Sequence, residues 1–125
     1  MMKSLTWVSV WLLALSLVPA NASRFQSVVD DEPIPYKTAK EAAVALKAMP
    51  NLIFSSNELW DNYHVPDSGT YWIVFRPDSQ FYPSVVRRRL GISQSGPIEK
   101  TAVLCNATAD ACNTLKLKLG LTGHK

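Results

Sequence analysis

Glu58, Asp61 and His64 are the residues whose types and spacing come closest to an acid/base or metal-binding group. On a helix, steps of three would set them on neighbouring turns, where two carboxylates and an imidazole could relay a proton or share a cation. On a strand the same spacing puts Glu58 and His64 on one face and Asp61 on the other. Residues 58–64 stay open between strand, helix and loop. A strand or loop is favoured, with these polar groups solvated beside Trp60 and Tyr63. Arg87-Arg88-Arg89 is the second group. In a strand, Arg87 and Arg89 share one face and Arg88 takes the other. Arg76 would extend the basic patch from the end of the preceding strand, with Tyr71, Trp72 and Tyr82 near it. Guanidinium groups beside aromatic rings hold phosphate, carboxylate or stacked bases. Arginines also solubilise an open sheet face or edge, and that plainer role carries the greater weight.

Cys105 and Cys112 are the only cysteines. A zinc site needs about four ligands, and the chain adds only His64 and His124. A redox dithiol would be spaced Cys-x-x-Cys, whereas six residues intervene here. In an oxidising compartment the pair implies one structural disulfide. No metal and no cofactor is expected. The chain has no Gly-rich phosphate loop, no Gly-x-Ser-x-Gly elbow and no His-Glu-x-x-His. Asn21-Ala22-Ser23 and Asn106-Ala107-Thr108 match the glycosylation acceptor pattern, which matters only on a eukaryotic secretory route.

The compartment is read from residues 1–22. Met1-Met2-Lys3 is a short positive start, Leu5 to Val18 is apolar apart from Thr6, Ser9 and Ser16, and Pro19 leads into Ala20-Asn21-Ala22. This is the pattern of an export signal cleaved after Ala22, and the apolar run is too short for a spanning helix. Without Lys3, 12 of the 13 basic residues remain against 10 acidic ones, a charge of +2. So small an excess gives no strong nucleic-acid signal. No later stretch reaches bilayer length. A length of 125 residues, 47% of them hydrophobic and 18% charged, fits one domain and neither disorder nor a low-complexity chain.

The elements that position these residues follow from periodicity. Residues 23–36 read as an irregular lead-in, since Pro33 and Pro35 interrupt regular structure and Asp30-Asp31-Glu32 reads as a solvated acidic run. A single α+β domain then covers residues 37–125. Thr38 and Glu41 open a helix whose face is Ala39, Ala42, Ala43, Leu46 and Met49, and so many alanines point to close packing on a sheet. Strands are predicted at residues 52–55, 70–75, 84–90 and 98–105, making an antiparallel sheet of about four. Pro66 to Gly69 and Ser95-Gly96-Pro97 are read as turns. Leu115, Leu117, Leu119 and Leu121 alternate as a strand would. Thr108 as N-cap, Asp110 in the first turn, Lys116 and Lys118 in the last and Gly120 beyond it favour a C-terminal helix instead.

Tyr82-Pro83-Ser84-Val85-Val86-Arg87-Arg88, followed by Leu104-Cys105 and Cys112 to Leu115, resembles small exported proteobacterial proteins of uncharacterised function. The resemblance covers about the last half of the exported chain. It implies the C-terminal helix and the disulfide, and it carries no catalytic residues.

Two functions are therefore expected in order. The first is an exported, periplasmic or secreted, non-enzymatic binding or accessory protein that recognises another envelope or secreted protein. The anion or partner site would be drawn from Arg76, Arg87, Arg88, Arg89, Trp72 and Tyr82. The second is a small nuclease-like hydrolase, with Glu58 or His64 as acid/base and Arg87 to Arg89 on the phosphate. Placement of Glu58 or His64 relative to the arginines separates the two. Oligomeric state is not legible.

Overall fold

A computed structural model describes residues 26–121. The segment read as an export signal, the cleavage point expected after Ala22 and His124 lie outside them. In chain order the elements are β1 (Gln26–Val29), α1 (Ala39–Ala48), β2 (Ile53–Ser56), β3 (Trp60–Val65), β4 (Thr70–Phe75), β5 (Ser84–Ser93), β6 (Gly96–Cys105) and α2 (Ala109–Lys118), with a 3-10 turn at Pro66–Ser68. The strands form one sheet in the order β1-β6-β5-β4-β3-β2. All neighbours are antiparallel except β1, which runs parallel to β6.

The α+β class, the two helices and the disulfide agree with the sequence, but the sheet has six strands rather than about four. One further strand is β3. Its polar residues obscured the apolar signal because Asp61 and Asn62, like Tyr63 and His64, alternate between two faces that are covered to different degrees. The other is β1, within the segment expected to be irregular. Its four residues end before the prolines, and its partner lies some seventy positions away, so no turn signal announces it. The β5–β6 hairpin also turns earlier than read. Ser93 pairs with Gly96, leaving Gln94 and Ser95 as the loop, and Gly96 takes a φ of 120° that suits glycine.

Local chemistry sets the helices. Thr38 accepts a hydrogen bond from the Glu41 amide at 3.1 Å, and the Glu41 carboxylate accepts one from the Lys37 amide. This is a near relative of the capping box. Thr108 likewise accepts from the Ala111 amide at 3.2 Å. Cys105, the last residue of β6, is bonded to Cys112 in α2, with Cα atoms 5.8 Å apart. The disulfide therefore pins the start of α2 to the sheet.

Each face of the sheet has its own core. On the first face, α1 and the 30–36 segment bury Ala39, Ala42 and Leu46 against Tyr63, Trp72, Val74 and Val85. The alanines let the helix backbone approach closely. On the second face, α2 buries Leu115 against Phe75, Phe81 and Val86, with Trp60 and Val103 packed alongside. Here α2 reaches only part of the way. Beyond it, exposed side chains of β2, β4 and β5 occupy the same face.

Candidate functional site

The register of β5 decides where each arginine goes. Val85, Arg87 and Arg89 project to the first face, and Val86, Arg88 and Leu90 to the second. The arginine run is thus divided by the sheet.

On the first face Arg87 and Arg89 meet an acidic partner. Asp30 follows β1 directly and is placed over β5 by its own amide, which bonds to the Thr101 carbonyl at 2.9 Å. Arg89 grips the Asp30 carboxylate with two nitrogens, Nε to Oδ2 and Nη2 to Oδ1, both at 2.7 Å. Arg87 Nη2 donates to Oδ2 at 3.1 Å and to the Glu32 carbonyl, and its Nη1 reaches the Pro33 carbonyl at 3.5 Å. Arg89 Nη1 adds Glu32 Oε1 at 3.1 Å. The Asp30 side chain is 2% exposed. Burial pushes its carboxyl up, yet the hydrogen bonds from Arg89 and the Glu32 amide, with the charge of Arg87, outweigh it and hold the group below its ordinary value of 3.8. Beneath Arg87 lies the Trp72 ring, 5.8 Å from the guanidinium carbon. Arg87, Arg89 and Trp72 form a closed clasp that fastens residues 30–33 to the sheet.

Of the acidic run expected to be solvated, Asp31 and Glu32 are exposed, but Asp30 is buried in the clasp, which Glu32 reaches from the surface. The i, i+2 spacing of Asp30 and Glu32 matches that of Arg87 and Arg89, the one signal by which the pairing could have been found. Buried charge of this kind needs partners, and here the chain supplies most of them itself. Arg87 Nη1 and Nη2 and three Arg89 nitrogens are bonded, while Arg87 Nε has no partner among the described residues.

On the second face a row crosses the entire sheet: Ile53, His64, Tyr71, Arg88, Thr101 and Val29 stand side by side on β2, β3, β4, β5, β6 and β1. The His64 and Tyr71 rings stack, 4.2 Å apart and 2° from parallel. Tyr71 is 42% exposed, and farther along β5 Ile92 is 89% exposed. The Arg88 side chain is 34% exposed. Among the described residues its one charge contact is Glu99 at 4.0 Å, it makes no hydrogen bond, and its Nε is enclosed without a partner.

Arg76 and Tyr82 belong to neither group. Both line a shallow hollow at the α1 side of the sheet, together with Ala43 and Lys47. Arg76 pairs with Asp61 at 3.2 Å, and the Lys40 ammonium lies 5.9 Å from the centre of the Tyr82 ring. Deep beside Asp61, burial and then the Asp61 charge push the Tyr63 phenol up.

The acid/base group is not assembled. Asp61 faces α1, His64 is stacked on the opposite face, and Glu58 is exposed in the turn before β3, six residues or about 20 Å along the chain from His64. His64 stands on the face opposite the Arg87 and Arg89 clasp and on the same face as Arg88, with Tyr71 between them, and Glu58 is in the turn before β3. Among the described residues no three His, Cys, Asp or Glu side chains cluster as metal ligands. Asn106 is engaged as well: its side-chain oxygen accepts the Ala39 amide at the start of α1, at 2.7 Å. Among the described residues no helix is long and apolar enough to cross a membrane. Compared with known proteins, the chain matches no family model, no curated protein and no solved structure.

Proposed function

We propose that the chain is an exported, non-enzymatic binding or accessory protein of the bacterial cell envelope that recognises another envelope or secreted protein through the part of its second sheet face left open by α2. The observation that carries this reading is the cross-sheet row from Ile53 through the stacked His64–Tyr71 pair to Arg88, continued by exposed Leu90 and Ile92. Contiguous exposed apolar and aromatic surface beside an arginine is the composition of an interface centre. The export signal read in residues 1–22, the disulfide and the resemblance to small exported proteobacterial proteins support the envelope as its location.

A photo-crosslinking residue placed at position 71 tests the reading. In an envelope extract it should yield one discrete adduct, competed by excess unlabelled protein, while the same residue at exposed position 44 on α1 yields none. Equal, diffuse labelling from both positions would refute the assignment of this face.

A further inference from the structure

Among the described residues of the open face, Arg88 has an enclosed nitrogen, Nε, with no hydrogen-bond partner, and no carboxylate within hydrogen-bond distance of its guanidinium. Around it lie Tyr71, Leu90 and Val29, surface that any partner would cover and dry. Covering a guanidinium costs far more than covering a leucine unless new acceptors arrive with the partner. Glu99, at 4.0 Å and beyond hydrogen-bond distance, is insufficient. On the opposite face, buried Arg87 and part-exposed Arg89 show what this chain provides for the ends of the guanidinium groups: a carboxylate held by both and, for Arg87, backbone carbonyls, with Arg87 Nε left unpartnered as Arg88 Nε is.

We infer that Arg88 is the recognition residue of this face, and that the partner it fits is a protein surface presenting a carboxylate flanked by aliphatic side chains. The carboxylate takes the exposed end of the Arg88 guanidinium, and the aliphatic groups cover Tyr71 and Leu90. A planar fork of donors favours a carboxylate with two oxygens over a neutral amide. Residues 1–25 and 122–125 bring no Asp or Glu side chain to this face. A second copy seated on the same face brings another Arg88 with every Glu99, so the shortage of acceptors is not relieved. An anionic membrane is disfavoured too, because one arginine beside a glutamate lacks the cluster of cations such a surface selects.

This inference rests on the proposed binding role of the open face and narrows it to one chemistry. Its test uses three blocked tripeptides, leucine–glutamate–leucine and its twins with central glutamine or lysine, titrated into the chain as purified after export. Backbone amide and arginine Nε–H signals are followed by NMR. The glutamate peptide is expected to move the Arg88, Tyr71 and Leu90 signals and to bind about ten-fold tighter than the glutamine twin. Arg88→Gln should erase that difference and Arg76→Gln should keep it.

Equal binding of the glutamate and glutamine twins would overturn the inference, as would shifts centred on Arg76 or no shift at Arg88. Two further results would also overturn it, by assigning the face elsewhere. One is binding to phosphatidylglycerol–phosphatidylcholine vesicles without any peptide response. The other is self-association that Arg88→Gln abolishes. A discrete crosslink from position 71 that survives Arg88→Gln would leave the binding role standing while removing the carboxylate from it.

Discussion

The two faces of β5 treat chemically identical side chains in opposite ways. Arg87 and Arg89 point to the side covered by α1 and the 30–36 segment, where Asp30, Glu32 and two backbone carbonyls answer their donors. Arg88, between them in sequence, points to the side where α2 stops short, and among the described residues its charge contact is a glutamate 4.0 Å away. The contrast teaches that a basic run in a strand is two separate devices. The pair on the α1 side ties the N-terminal segment to the fold, and Arg88 has one distant charge contact among the described residues.

The largest expected effect is on the covered side. Asp30→Ala leaves two arginines, one of them buried, without their shared counter-charge. It should lower stability to urea by about 3–5 kcal/mol. Acid should act on the same clasp. The folded-state carboxyl of Asp30 lies below its unfolded value of 3.8, so the stability it contributes is fully present above that value. It is lost as pH falls through the lower folded value. The stability gap between wild type and Asp30→Asn should therefore be widest near neutrality and close in strong acid, as read from urea midpoints across pH.

Next in size is the disulfide, which holds α2 against its half of the second face. The bond closes a separation of seven residues, and Cys105→Ala with Cys112→Ala should cost about 2–3 kcal/mol. Hydrogen exchange should quicken in α2 and leave α1 unchanged, since the clasp is on the other side. Loss of the cap at Thr108 by substitution to alanine should cost about 1 kcal/mol. Arg88→Ala is the smallest. With no hydrogen bond and one ion pair at 4.0 Å to lose, it should change stability by no more than about 0.5 kcal/mol in thermal or urea unfolding.

What could be read beforehand follows the range of the forces involved. Both helices were legible because Thr38 and Thr108 announce them within three residues. The division of the arginines was legible from the two-residue period of a strand. The disulfide needed only the compartment and a count of cysteines. The clasp was not legible, because Asp30 and Arg87 are 57 residues apart and meet only after β1 pairs in parallel with β6. Nor was the open row, because whether Tyr71 and Arg88 are covered depends on how far α2 extends, a property of the packed molecule. The Glu58–Asp61–His64 spacing carried an acid/base meaning only on a helix, and a strand with its preceding turn disperses all three.

The most direct measurement compares Arg87→Ala, Arg88→Ala and Arg89→Ala in one set of urea unfolding curves. Loss of Arg87 leaves the buried Asp30 short of a partner and should cost about 3 kcal/mol or more, with Arg89→Ala also clearly destabilised and Arg88→Ala indistinguishable from the parent. Three equal shifts, or an Arg88→Ala variant weaker than Arg87→Ala, would mean that the sheet does not divide the run into a structural pair and a free residue.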